Sequence, residues 1–166
     1  MDTINDKITV FLVDDDIMFI ESLKHSLNEN SADIRIFPTG EDCIKNVIKE
    51  EPEVVVLDYY LNSTHPKALN GIQVLNKIKH NRPETEVIML SSQDSVAVAV
   101  DTLKYGAYDY IAKGQSAFVQ IKNDIKHIYE SKEKTEDFDK ETIRLKRMNV
   151  LIIVIVLTLY IISRLA

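Results

Sequence analysis

The chain has 166 residues, 45% hydrophobic and 28% charged, which is room for one domain of ordinary size with a buried core plus an appendage. Its formal net charge of -6 argues against a nucleic-acid partner, because a phosphate backbone demands a basic face and none is visible ahead of the C-terminal tail. The single cysteine, Cys43, excludes an intramolecular disulfide, and no Cys/His group has zinc-ligand spacing.

The predicted elements alternate between short β-branched runs and helical patterns. Lys7 to Val13 (KITVFLV) reads as a buried strand ended by Asp14, Asp15 and Asp16. Ile17, Ile20, Leu23 and Leu27 then fall at helical spacing, with Asp16 placed as a cap, and that helix is expected to reach about Asn30. Asp33 to Phe37 is a second strand. Pro38-Thr39-Gly40 is a turn, with Thr39 able to cap a helix that carries Cys43, Ile44, Val47 and Ile48, so core packing is the expected role of the cysteine. Glu53 to Asp58 (EVVVLD) is a third strand, apolar on both faces. A loop leads to a helix from about Asn70 with Ile72, Val74, Leu75 and Ile78. Glu86 to Leu90 (EVIML) is a fourth strand, Ser95 to Tyr105 a helix ended by Gly106, and Tyr108 to Ala112 a fifth strand. Phe118, Ile121, Ile125 and Ile128 mark a fifth helix.

Five β-then-α units in series imply an α/β fold: a doubly wound, five-stranded parallel sheet with right-handed crossovers and helices on both faces. Strands that read as continuous apolar runs suit that burial. Ligands of such a sheet sit at the carboxyl ends of the strands.

The chemistry-bearing residues fall at those ends. Asp14 and Asp15 close the first strand and Asp58 the third, so three carboxylates converge on one crevice, where they repel and raise one another's pKa. A hard divalent cation relieves that repulsion, and Mg²⁺ takes oxygen ligands while keeping exchangeable waters. Ser91 closes the fourth strand and Lys113 follows the fifth; a hydroxyl and an ammonium suit a phosphorylated carboxylate. Taken singly, an acidic pair caps a helix, a serine makes a turn and a lysine is a solvated charge. Taken together, the four strand ends point to metal-assisted phosphoryl transfer onto Asp58.

The stretches ITVFLVDDD, VVVLDYYL, NGIQVLNKIK, VIMLSSQD and GAYDYIAKG resemble the response-regulator receiver domain of two-component signalling, over roughly residues 6–130. The resemblance implies a flavodoxin-like fold. It makes Asp58 the phospho-acceptor and Asp14 and Asp15 the acidic pair that holds Mg²⁺, with Asp15 a direct ligand and the Tyr60 backbone carbonyl a third protein ligand. Ser91 and Lys113 match the residues that stabilise the phosphoryl group, Tyr110 matches the aromatic switch residue, and Tyr60 and Gln93 hold the positions that tune phosphoryl lifetime. The implied donor is a sensor histidine kinase or a phosphotransfer protein. Such a domain is not a turnover enzyme; it catalyses only its own phosphorylation and dephosphorylation.

Two departures stand out. The segment after Asp58 (YYLNSTHPKALNG) is about five residues longer than the family's loop, and Gly114 replaces the proline that usually follows the lysine. A bulky Tyr60 is expected to shield an acyl phosphate and slow its hydrolysis. None of His25, His65, His80 and His127 has the context of a phosphodonor.

Residues 131–147 are strongly charged and read as a linker or helical extension. Val150 to Ile162 (VLIIVIVLTLYII) is apolar all round, and residues 148–166 as a helix would reach roughly 28 Å, about one hydrocarbon thickness, so a transmembrane helix is expected over 148–166. Arg164 would snorkel to an interface. Lys140, Arg144, Lys146 and Arg147 before it place the receiver on the cytoplasmic side of the inner membrane. The rival reading of the tail is an oligomerising helix. For the whole chain, the rivals are an Asp-nucleophile phosphatase, against which Tyr60 stands where a second Asp is needed, and a binding module indifferent to phosphate.

Overall fold

The computed structural model describes residues 7–27, 32–61, 68–92 and 95–165. Five parallel strands, β1 (Ile8–Val13), β2 (Ala32–Phe37), β3 (Val54–Asp58), β4 (Glu86–Ser91) and β5 (Asp109–Ala112), form one sheet in the order β2-β1-β3-β4-β5. This is the flavodoxin-like order, with its switch point between β1 and β3. Every residue of β3 is buried, as expected of a central strand with helices on both sides.

The helices are α1 (Ile17–Ser26), α2 (Gly40–Glu50), α3 (Gly71–Asn81), α4 (Val96–Lys104) and α5 (Ala117–Leu165). One face of the sheet packs Val10, Leu12, Val54, Val56, Ile88 and Leu90 against Ile20 and Leu23 of α1 and Ile121 and Ile125 of α5. The other packs Phe11, Val13, Val55, Leu57, Val87 and Met89 against Val47 of α2 and Val74, Leu75 and Ile78 of α3. Leu12, Leu57 and Leu75 are wholly buried, each contributing about 2 kcal/mol of transfer free energy. Cys43 is buried in the second layer, and burial pushes its thiol pKa up to about 12, so it packs as a small hydrophobe.

Local sequence sets the helix starts. Asp16 caps α1 by accepting the Phe19 N–H at 3.0 Å, and Thr39 caps α2 by accepting the Asp42 N–H at 3.3 Å. Asn70 and Gln73 exchange backbone and side-chain bonds in a capping box that starts α3. Gly106, at φ 90°, follows α4 in the left-handed conformation glycine allows.

Several expectations shift. Helix α1 ends at Ser26, short of Asn30, because Leu27 leaves helical geometry while its N–H still bonds the Leu23 and Lys24 carbonyls. Residues 28–31 lie outside the described residues. β5 starts at Asp109, one residue late. The charged segment 131–147 is helical, continuous with α5.

The chain falls into two compact units, Met1–Tyr129 and Glu130–Ala166. The expected transmembrane helix over 148–166 is not supported: among the described residues no helix is long and apolar enough to cross a membrane. The apolar run from Val150 to Ile162 is 13 residues, where a span needs about 20. The side chain of Arg164 lies outside the described residues.

Candidate functional site

The switch point brings the three carboxylates together. Asp14 and Asp15 leave the end of β1, and Asp58 is the last residue of the neighbouring β3. Carboxylate oxygens of the three lie within 4.8 Å of one another. Asp14 is fully buried, Asp58 is 2% exposed and Asp15 is half-buried.

Backbone groups fix two of these side chains. The Asp16 N–H donates to Asp14 Oδ1 at 2.9 Å, and the Tyr60 N–H donates to Asp58 Oδ2 at 2.9 Å. Their other oxygens turn to one cation: Lys113 Nζ lies 2.7 Å from Asp14 Oδ2 and 2.8 Å from Asp58 Oδ1. Lys113 is held in place by its own N–H, which donates to the Ser91 carbonyl at 2.7 Å. Its ammonium also sits 4.8 Å above the ring of Phe19, which packs edge-on against Phe118 of α5 at 5.4 Å.

The electrostatics follow from burial. Desolvation raises the pKa of Asp14, with further repulsion from Asp58, against the lowering effect of Lys113. Desolvation likewise raises Asp58, opposed by Lys113 and the Tyr60 N–H and reinforced by Asp15. Burial pulls the Lys113 pKa down, but its two carboxylate partners outweigh that and leave it raised.

Ser91 is fully buried at the end of β4, one residue beyond Leu90, whose register partner is Asp58. Tyr110 pairs with Met89, two residues back from the Ser91–Ala112 pair, and packs half-buried against the second core layer with Tyr59. The Tyr60 ring lies edge-on to Tyr59 at 4.8 Å. Gln93 and His65 lie outside the described residues.

Three supports went unnoticed in the sequence. Phe19 is not singled out by the helical spacing, though an aromatic four residues after Asp15 lies under the Lys113 ammonium. Gly71 packs so tightly behind the acceptor that an added Cβ would lie 2.4 Å from the Asp58 carbonyl oxygen and 2.7 Å from Tyr59 Cα. Its N–H donates to the Tyr59 carbonyl at 3.0 Å. The Asn-Gly pair was the available signal. Glu41 of α2 accepts the Leu69 N–H at 2.9 Å and fixes the returning end of the long loop.

These residues fit a hard cation. Asp14 Oδ2 and Asp58 Oδ1 are buried and receive no directed hydrogen bond, being matched only by the ion pairs to Lys113. An all-oxygen donor set of three carboxylates is the chemistry Mg²⁺ takes.

Comparison with known proteins agrees with this geometry. Residues 10–126 match the model of the response regulator receiver domain. Response regulator MprA of Mycobacterium leprae is 30% identical over 104 residues, 63% of this chain and 43% of that protein. Regulatory protein LuxO of Vibrio cholerae is 30% identical over 81 residues, 49% of this chain and 17% of that protein. The chain thus spans less than half the length of these curated relatives. Among solved structures, NtrX from Brucella abortus superposes with TM-score 0.68 at 26% identity, covering 80% of this chain and 29% of that one. The BeF3-activated receiver domain of DrrB from Thermotoga maritima superposes with TM-score 0.65 at 27% identity, covering 75% and 98%. With its fold, its acidic cluster and a family match over most of its length in agreement, the chain belongs to the response regulator receiver family of two-component systems.

Proposed function

We propose that Asp58 accepts a phosphoryl group from the phosphohistidine of a sensor histidine kinase or phosphotransfer protein, and that the chain signals through the surface this changes. The observation that carries the reading is the Asp14–Asp15–Asp58 cluster, whose buried members Asp14 and Asp58 are bridged by Lys113.

In this mechanism the Tyr60 N–H holds Asp58 Oδ2, so that Oδ1 is presented as the nucleophile. Oδ1 attacks phosphorus, the P–O bond forms and the P–N bond breaks, and the donor ring, already protonated at its other nitrogen, leaves as neutral imidazole. Lys113 then exchanges its contact with the carboxylate for one with a phosphoryl oxygen, and the Ser91 hydroxyl donates to another. Asp14, Asp15, Asp58 and the Tyr60 carbonyl are the residues that would hold Mg²⁺, which when bound neutralises charge developing on the transferred group. Movement of Ser91 toward phosphate frees space for Tyr110, which couples the event to β5 and its neighbouring helices. The Tyr60 ring, with Gln93, tunes the lifetime. The chain turns over no substrate other than its own acyl phosphate.

The reading places the receiver at the cytoplasmic face of the inner membrane. It is supported by the apolar side chains of Val150 to Ile155, all about half exposed, on the same helix as Arg144 and Arg147. Exposed apolar side chains gain by burial among acyl chains while neighbouring basic residues meet the anionic surface of a cytoplasmic leaflet.

The test is partner capture by the full chain with and without a beryllofluoride phosphoryl mimic. Capture that depends on the mimic and on Asp58 supports the reading. Capture unchanged by either favours a phosphate-independent binding module.

A further inference from the structure

Between Lys140 and Met148, α5 carries Lys140, Arg144, Lys146 and Arg147 against the single acidic Glu141, in a chain whose net charge is -6. Lys140, Arg144, Arg147 and Leu151 follow at steps of four, three and four, so they share one helix face. Together with Ile143 and Met148 they line a shallow recess. Lys140 also reaches Asp137 at 3.8 Å, a loose exposed pair of little strength. The order along the helix is therefore cationic, then mixed, then wholly apolar.

We propose that this face binds the headgroups of anionic phospholipids. Guanidinium groups match phosphate oxygens in geometry and charge, and the apolar floor of Ile143, Met148 and Leu151 suits the glycerol and upper acyl carbons below a headgroup. An acidic protein segment would satisfy the charges but leave the neighbouring Val150 to Ile155 in water. A second copy alongside in parallel would set Lys140, Arg144, Lys146 and Arg147 against their own like charges. The inference rests on the membrane placement proposed above and adds the lipid class that recognises it.

The test is flotation of the full-length chain with phosphatidylcholine vesicles and with vesicles containing phosphatidylglycerol, at low and high salt. The variant carries Lys140→Ala, Arg144→Ala and Arg147→Ala, all exposed and far in sequence from the acceptor site, with Asp58 labelling as its folding control. At about fivefold per basic residue, the variant is expected to bind anionic vesicles roughly 100-fold more weakly than the wild type, and the difference to fade in high salt. Equal wild-type binding to neutral and anionic vesicles, or undiminished binding by the variant, overturns the lipid inference while leaving membrane placement standing. Failure of the wild type to float with either vesicle overturns both.

Discussion

The Lys113 ammonium lies 2.8 Å from Asp58 Oδ1 and holds that buried oxygen as an ion pair. The same nitrogen holds Asp14 Oδ2 at 2.7 Å, so in the absence of a divalent cation Lys113 is the counter-ion of the acidic cluster. Substituting it separates its two roles. Lys113→Met is expected to destabilise the metal-free domain by about 3 kcal/mol in denaturant unfolding, because two buried carboxylates lose their partner. Mg²⁺ should recover much of that loss and bind the variant more tightly than the wild type, while phosphoryl transfer to Asp58 is impaired. Magnesium affinity lower in the variant would contradict the counter-ion role.

Gly71 presses on the acceptor from behind, with its missing Cβ 2.4 Å from the Asp58 carbonyl oxygen. Both neighbours are backbone, so no side chain can swing aside. Gly71→Ala is expected to cost about 2 kcal/mol or more in thermal or denaturant unfolding and to lower the rate of Asp58 labelling. A variant with wild-type stability would show that α3 can shift without cost.

Much of this arrangement was legible in the sequence, for identifiable reasons. The strands carrying Asp14, Asp58 and Ser91 were unambiguous because β1, β3 and β4 are buried on both faces and read as apolar runs bounded by polar residues. Asp16, Thr39 and Gly106 punctuate the chain by local chemistry, and they could be read without tertiary context. Phe19 and Gly71 were missed because their roles depend on long-range approach: one lies under the Lys113 ammonium, the other against the backbone of Asp58. The end of α1 was set too late because Leu27 continues the apolar period while its backbone turns extended. The apolar composition of the tail suggests a span, which no helix among the described residues supports.

Asp124 of α5 carries a pH dependence remote from the acidic cluster. Burial, then repulsion from Asp109 of β5 and a hydrogen bond with it, push the Asp124 pKa from 3.8 up to about 6, with His127 opposing. Tyr108 and Glu86 are further ionisable neighbours of this region. A raised folded pKa means the stabilising contribution is present below about 3.8 and is lost as pH rises through about 6. Asp124→Asn is therefore expected to be more stable than the wild type at neutral pH, by less than about 1 kcal/mol for a half-buried site that solvent still screens. That advantage should vanish in unfolding measured below pH 4 or so. An advantage constant with pH would exclude a raised Asp124 pKa as its cause.

Tyr60 bears on lifetime. Its N–H holds Asp58 Oδ2 and its ring lies against Tyr59, half-buried at the edge of the cluster. After labelling with a small phosphodonor, the wild-type acyl phosphate is expected to persist for minutes or longer, and Tyr60→Ala to shorten it several-fold by admitting water. A wild-type lifetime of seconds, or one unaffected by the substitution, would remove the shielding role.

The most direct test of the central claim is labelling of the full chain by a small phosphodonor, followed by intact-mass measurement and peptide mapping. Wild type is expected to gain one phosphoryl group on Asp58 when Mg²⁺ is present and almost none in its absence. Asp58→Asn is expected to gain none under either condition. Labelling of Asp58→Asn equal to wild type, or wild-type labelling indifferent to Mg²⁺, would contradict the assignment of Asp58 as the acceptor beside a metal held by Asp14 and Asp15.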